Sequence, residues 1–205
     1  MRKRKFGLFL PLLLVLALFL SGCTNPSDAA TYKGGKVTIK KVQESVSAIL
    51  DERIKFNTNP QDAYSGEALT RNQLQFHIFT ALLTEAAKER NVYALPEEIA
   101  ARRADVVKSV GSEDQLSIAL VNAGIASINL DQYLSLIVLQ DKLRTVIAPN
   151  ATDNNELIKA LQDALAKTAK NINLVVNPRY GVWNPATNQV DPADPTGGAL
   201  PSTKK

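Results

Sequence analysis

Apolar residues recur along the middle of the chain at the three- and four-residue spacing that is typical of amphipathic helices. The first stripe predicted to be buried in this way consists of Val42, Val46, Ile49 and Leu50. Thr38 stands just before it, where a threonine hydroxyl can cap the first helical turn. A polar loop over residues 55–66 and a long helix over Glu67–Arg90, stopped by Asn91, complete the first half of the pattern.

Four shorter helices are predicted after Asn91 by the same spacing and by residues that favour helix ends. Proline lacks the backbone N–H that the first helical turn leaves unpaired, and the helix dipole favours acidic residues there. Together with polar capping side chains, these preferences place the helix starts at Pro96, Ser112, Asn129 and Asp153. The predicted stops are Gly111, Gly124 and Pro149.

Two segments at opposite ends of this helical region are predicted to be strands, Ala30–Thr38 and Ile172–Val176. An isolated strand is unstable, so we expect the two segments to pair with each other. The predicted fold class is therefore mainly α, with about six helices and a small antiparallel two-stranded ribbon that joins the N- and C-terminal strands.

The N-terminal segment has the order of a secretion signal. Met1–Lys5 is basic, and Phe6–Leu20 is an uncharged apolar run of roughly 22 Å as a helix, shorter than the ~30 Å hydrocarbon core of a bilayer. The four residues at the end of the run, Leu20, Ser21, Gly22 and Cys23, resemble the lipobox of bacterial lipoproteins. The resemblance implies cleavage before Cys23, a thioether bond from its thiol to diacylglycerol, and two or three palmitate-type acyl chains in all. An ordinary signal peptide with a stray cysteine, or an uncleaved anchor, are the alternatives.

These features predict four parts of the chain. Residues 1–22 are the signal peptide, and residues 23–30 are a short polar linker that carries the lipid. Residues 31–183 are the folded domain. Residues 184–205 are rich in proline and poor in large apolar side chains, so we expect a disordered tail. No internal repeat is detected.

Composition narrows the possible functions. The formal charge of +4 comes from the signal, because Arg2–Lys5 supply four of the 24 basic residues and the other 20 equal the acidic count. A chain so balanced has no net field to attract nucleic acid. With one cysteine and one histidine, it cannot form an internal disulfide or a mixed thiolate–imidazole zinc site. No glycine-rich phosphate loop occurs either. From these observations together, we expect neither a metal nor another cofactor.

Several side chains invite a catalytic interpretation that their context does not favour. His77 follows an aromatic residue on the long helix and is predicted to be partly buried. The Glu97-Glu98 pair suits a helix start, Arg102-Arg103 suits a solvated helix face, and Ser112 suits a cap. We therefore predict no catalytic residue.

The segment after the last strand leaves two readings open. Arg179, Tyr180 and Trp183 belong to the residue types that are enriched in binding hot spots, so they could form a partner-binding patch. Alternatively, the two aromatic side chains pack against the domain at the end of an edge strand.

The order of elements and four short motifs resemble the chaperone domain of the SurA, PrsA and trigger-factor group. The motifs are Gly35–Ile39, Thr84–Val92, Pro96–Ile99 and Val175–Trp183, the last of which is similar to that of actinobacterial SurA-like lipoproteins. The resemblance implies paired terminal strands and an open helical cradle for non-native polypeptides. Many members also contain a parvulin-type prolyl isomerase after the fifth helix. Ala148–Thr152 leaves no room for that insert, and its pair of histidines is missing.

The expected function is that of a lipid-anchored, extracytoplasmic chaperone-like protein at the cell membrane. It would bind unfolded exported polypeptides without ATP and without isomerase activity, and it would not be an enzyme. The alternative is an envelope assembly lipoprotein that docks one specific folded partner. A prolyl isomerase is disfavoured by the missing insert, and a solute-binding lipoprotein by the short chain.

Overall fold

The structure, a computed structural model, describes residues 27–58 and 64–193. In chain order its strands and α-helices are β1 (Asp28–Tyr32), β2 (Gly35–Thr38), α1 (Ile39–Lys55), α2 (Gly66–Lys88), α3 (Pro96–Val110), α4 (Glu113–Asn122), α5 (Leu130–Ile147), α6 (Asn154–Asn171), β3 (Val175–Val176), β4 (Val182–Asn184) and β5 (Gln189–Asp191). A 3₁₀ turn, Ser127–Asn129, precedes α5. The predicted fold class, mainly α with small antiparallel sheets, is confirmed.

Three helix starts are fixed by the predicted polar caps. The hydroxyl of Thr38 accepts a hydrogen bond from the backbone N–H of Lys41 at 3.1 Å. At α4, the hydroxyl of Ser112 accepts from the N–H of Gln115 at 3.2 Å. The side chain of Asp153 caps α6 in the same way, through the N–H two residues later. Each cap satisfies a donor that the first helical turn leaves without a partner.

The predicted cap at Asn129 is wrong. Asn129 does precede α5, but its side chain makes no hydrogen bond to the first turn of that helix. Its amide instead donates to the hydroxyl of Ser45, 2.9 Å away in the interior. The side chain of Asn129 therefore bonds to a buried residue on α1 and not to the backbone of α5.

The terminal strands pair as predicted, within a larger sheet. β1 lies between β2 and β3, antiparallel to both, and Ala30 and Thr31 face Val176 and Val175. The predicted single strand Ala30–Thr38 is a hairpin, because Gly34 turns the chain with φ 101°. The predicted strand Ile172–Val176 is shortened to its last two residues, because Ile172 still belongs to the end of α6.

Both predicted domain limits require correction. Asp28–Ala30, assigned to the linker, lie in β1 and are buried. Residues 184–193, assigned to the disordered tail, include part of β4 and all of β5, which pair with each other and bury Val190. Residues 194–205, the signal peptide and Leu20–Cys23 lie outside the described residues.

Helix α2 lies at the centre of the packing, with α1, α5 and α6 against it. Its core residues Leu74, Ile78 and Leu82 recur every four residues and are fully buried. Helix α3 has no buried residue and covers the α4–α5 side through half-buried Ile99 and Val106. None of the helices in the described part of the chain is long and apolar enough to cross a membrane.

Candidate functional site

Helix α1 has a second apolar stripe, which is partly buried at Val46 and exposed toward the end of the helix. Val46, Leu50 and Ile54 recur at four-residue spacing, and the last two are 44% and 81% exposed. The prediction that Leu50 belongs to the buried face is wrong. Neighbouring helix positions point about 100° apart. Because Ile49 faces the core, Leu50 points to the side of the helix.

A groove lies between this stripe and the first turns of α2. It has a cavity volume of about 690 Å³. Val46, Leu50 and Leu69 form its apolar wall. Arg179 and Tyr180, from the connection between β3 and β4, close its far side. The side chains of two helices and one loop therefore meet around one concave surface.

Two smaller cavities follow along α2. A second cavity of about 200 Å³ shares Arg71 with the first and is bounded by Gln189 and Val190 of β5. A third, of about 260 Å³, shares Gln75 and Gln189 with the second and reaches Phe79. We call the three together the α2 groove. It follows α2 from Gly66 to Phe79, roughly 20 Å at 1.5 Å per residue.

The β4–β5 hairpin forms a wall of the α2 groove and is held in place by side-chain amides. Gln75 donates to the carbonyl of Asn188 at 2.9 Å and accepts from the N–H of Val190 at 2.8 Å. The amide of Asn188 donates to the carbonyl of Gln162 on α6, also at 2.9 Å. The hairpin is thereby fixed to α2 and α6 at once.

The charged residues that line the α2 groove are Arg71, Arg179 and Glu67. Within the described residues, neither guanidinium makes an ion pair or a side-chain hydrogen bond. Glu67 lies one helical turn before Arg71, yet no ion pair joins them. Two positive charges therefore border an apolar surface, and the one negative charge of the lining, Glu67, is paired with neither of them.

The arginines of α3 are different in this respect. Arg102 contacts the carboxylate of Asp141 at 2.6 Å, and Arg103 contacts that of Glu113 at 3.0 Å. Each guanidinium joins α3 to a neighbouring helix, so these residues have structural partners. The hydrogen bond to Glu113 is the main cause of the raised pKa of Arg103.

The structure separates the three residues of the predicted patch. Arg179 and Tyr180 line the α2 groove, whereas Trp183 lies in another cavity beside Lys167 and Lys170. Both aromatic side chains are half-buried and pack against the main core. Tyr180 therefore both packs against the core and faces the α2 groove.

Asn177 determines the path of this loop. Its amide donates to the carbonyl of Asp28 at 2.9 Å, and its side-chain oxygen accepts from the N–H of Arg179 at 3.1 Å. The N–H of Tyr180 donates to the carbonyl of Asn177. A buried asparagine that follows β3 and bonds to β1 thus places the two residues that face the groove.

His77 lies in a buried polar cluster rather than in the α2 groove. Its Nε2 is 2.9 Å from the hydroxyl of Ser45, and both side chains are 2% exposed or less. Burial, helped by the charge of Lys41, lowers the pKa of His77 from 6.5 to about 4. A serine–histidine contact can form a nucleophile and base, but this hydroxyl is closed to solvent. The cluster instead joins α1 to α2.

The carboxylate pair at the start of α3 has two separate environments. Glu98 accepts a hydrogen bond from the N–H of Leu95 at 2.8 Å and contacts the ammonium of Lys142 at 2.7 Å. The hydrogen bond from Leu95 is the largest cause of the lowered pKa of Glu98, and the hydrogen bond from Lys142 is the next largest. Glu97 has no part in these contacts, so the pair does not act as a unit.

Sequence reasoning did not identify Arg71 or Ile54 as candidate site residues. The available signal was Ile54, an apolar residue that continues the Val46 and Leu50 spacing into a polar stretch. Arg71 had no such signal, because its lack of a partner is visible only in the packed domain.

No family model, curated protein or solved structure matches the chain. The resemblance to the SurA, PrsA and trigger-factor group therefore stays a prediction, as do the lipobox and its Cys23. Among the described residues, no group of three or more His, Cys, Asp or Glu side chains is placed to hold a metal ion.

Proposed function

We propose that this chain is a lipid-anchored, extracytoplasmic chaperone-like protein. It binds unfolded exported polypeptides without ATP and without isomerase activity. The observation that supports this proposal best is the exposed apolar stripe of α1, in which Leu50 lines the α2 groove and Ile54 lies one helical turn further along the helix. A contiguous apolar surface on a folded domain is a common mark of an interaction site.

Binding in such a groove needs no bond chemistry. Apolar side chains of the client would lose water against Val46, Leu50 and Leu69, at about 25 cal/mol for each Å² buried. The client would lose conformational freedom at the same time, which offsets part of this gain. The resulting affinity is modest, as a protein that must release its clients requires.

The anchor would keep the groove near the bilayer. By its resemblance to a lipobox, Cys23 carries the lipid, and two or more acyl chains give stable attachment. Five peptide steps separate Cys23 from Asp28, a contour of at most about 18 Å. Polypeptides that emerge at the membrane would meet the domain within this distance.

The proposal is tested by suppression of aggregation. The full chain, held in nanodiscs of neutral lipid, is added without ATP to a model protein diluted from denaturant, and light scattering is followed. We expect protection at stoichiometric excess, and loss of most of it in the double variant Leu50→Asp, Ile54→Asp.

A matched control introduces the same charges on a distant surface. Ile128 and Val146 are 64% and 50% exposed and lie outside the α2 groove, so the variant Ile128→Asp, Val146→Asp should protect like the wild type. No protection by the wild-type chain, or equal loss in both variants, would contradict the proposal.

The alternative, docking of one folded envelope partner, is favoured by the hydrogen-bonded hairpin wall. A wall fixed by Gln75 and Asn188 gives the groove a defined shape, which suits a defined ligand. Crosslinking in intact cells separates the two functions. A single saturable product supports the folded partner, whereas many products that increase on heat stress support the chaperone.

A further inference from the structure

We propose that the α2 groove selects extended polypeptide segments in which a carboxylate stands beside apolar residues. This inference rests on the proposed binding function and adds the chemical class of the bound segment. It is argued from two arginines that have no ion-pair partner among the described residues, from the apolar wall of the same cavity and from the length of the groove.

The guanidiniums provide the charge argument. Residues 33–170 contain as many basic as acidic side chains, so the domain has no general excess of positive charge. Yet the lining of the α2 groove contains Arg71 and Arg179 against Glu67 alone. A guanidinium without an ion-pair partner attracts a carboxylate, because its planar donors match both carboxylate oxygens.

The position of the arginines defines where the carboxylate would lie. Both line the wide end of the groove, together with Leu50 and Tyr180. Arg71 also lines the narrower continuation toward β5. A segment along α2 would therefore place its acidic residue at the wide end and its apolar residues on the wall and toward Phe79.

The length of the groove favours an extended segment. At about 3.3 Å per residue, six extended residues span roughly the same 20 Å as α2 between Gly66 and Phe79. Alternate side chains of such a segment point in opposite directions, so one set would face α2 and the other the solvent or the hairpin. A helical segment would need about 13 residues to span the same distance.

Glu67 provides a further test of the proposal, because its charge has the same sign as that of the proposed ligand. It lies exposed at the start of α2 and would repel a bound carboxylate. The variant Glu67→Gln should therefore bind acidic segments more tightly, whereas a site for cationic segments would be weakened by the same change.

Fluorescence anisotropy with labelled decapeptides tests the proposal. The probes have blocked termini and the same alternating leucine pattern, with two aspartates, two asparagines or two lysines at equivalent positions. The protein is the full chain in nanodiscs of neutral lipid. We expect the aspartate peptide to bind about tenfold more tightly than the asparagine peptide at low salt, and the lysine peptide to bind most weakly.

Variants locate the effect. Arg71→Gln and Arg179→Gln should each weaken the aspartate peptide several-fold and leave the asparagine peptide within twofold. Lys108→Gln removes one positive charge from exposed Lys108 on α3 and should change neither affinity. Circular dichroism confirms that each variant is folded.

The possible results have separate meanings. No binding of any peptide would reject the proposed function itself. Equal binding of the aspartate and asparagine peptides would leave that function intact and overturn selection by charge. Displacement of the aspartate peptide by anionic vesicles, with no effect of Glu67→Gln, would assign the arginines to a lipid surface and also overturn it.

Discussion

The hydroxyl of Ser45 lies 2.9 Å from Nε2 of His77, at the point where α1 crosses α2. The same hydroxyl receives a hydrogen bond from the amide of Asn129 and donates one to the carbonyl of Lys41 at 3.2 Å. A hydroxyl has a single proton, so the proton shared with His77 belongs to Nε2. Because its pKa is lowered to about 4, the imidazole is neutral at pH 7, and its Nδ1 has no hydrogen-bond partner among the described residues.

This arrangement predicts a loss of stability in mild acid. The pKa of His77 is lowered to about 4 in the folded protein and returns to about 6.5 when the chain unfolds. Between these values the unfolded state binds more protons, so the free energy of unfolding falls as the pH falls from 6.5 to 4. The contribution of His77 is at most about 3.5 kcal/mol, since each pKa unit corresponds to ~1.4 kcal/mol.

Urea unfolding from pH 7.5 to pH 4 measures this effect. The wild type should lose stability across the whole window, and His77→Gln should have a flatter profile between pH 6.5 and pH 5. Glu98 titrates below this range, because its pKa is lowered from 4.5, so it does not obscure the comparison. Parallel profiles for wild type and variant would show that His77 ionises normally.

Removal of the shared hydroxyl should be costly. Ser45→Ala leaves buried donors on His77 and Asn129 without their acceptor, and we expect a loss of about 1–3 kcal/mol in the free energy of unfolding. The control is Ser117→Ala on α4, where the hydroxyl bonds to the carbonyl of Glu113 in its own helix. We expect less than about 0.5 kcal/mol there.

A double-mutant cycle extends the test to the network. Asn129→Ala should destabilise the wild type more than it destabilises Ser45→Ala, because the bond between the two side chains is already absent from the variant. Additive losses would mean that the contact contributes no coupling energy.

How far sequence predicts this fold depends on where the deciding partner lies. Thr38, Ser112 and Asp153 were predicted as caps because each acts within its own helical turn. Asn129 has the same residue type, but its amide bonds to Ser45, 84 residues away. The local pattern cannot reveal that competition, so the cap prediction was wrong there.

The C-terminal hairpin was missed for the same physical reason. Residues 184–193 have few large apolar side chains, and composition alone favoured disorder. Their order depends on Gln75, which is 113 residues from Asn188 and 115 from Val190. Because this hairpin forms one wall of the α2 groove, that wall could not be predicted from the local sequence pattern either.

The attachment of the hairpin can be tested at Gly181. This residue has φ 142°, and a Cβ there would collide with the carbonyl oxygen of Asp191 on β5. Gly181→Ala should therefore separate β4 from β5 and shift the fluorescence of Trp183, the only tryptophan, to longer wavelength.

Gly111 provides a matched control for backbone strain. It also has a positive φ, 106°, but a Cβ there meets open space. Gly111→Ala should lose roughly 1–2 kcal/mol for its left-handed conformation, without a change in tryptophan emission. Similar emission shifts in both variants would show that the collision at Asp191 is not the cause.

The last prediction separates packing from binding at the two aromatic residues that follow Asn177. Tyr180 lines the α2 groove, whereas Trp183 lies in the cavity beside Lys167 and Lys170. Tyr180→Ala should weaken the aspartate decapeptide several-fold, because it removes part of the groove wall next to Arg179. Trp183→Ala should leave that affinity within twofold.

The stability of the two variants should have the opposite order. Trp183 packs on the core from within β4, so its truncation should lower the free energy of unfolding by about 1–3 kcal/mol and loosen the hairpin only where it lies against α6. Tyr180 packs there from a loop, so its loss should cost less. Thermal unfolding and peptide anisotropy on the same samples give both quantities. Weaker peptide binding by Trp183→Ala at unchanged stability would place the recognition surface on the α6 side and not in the α2 groove.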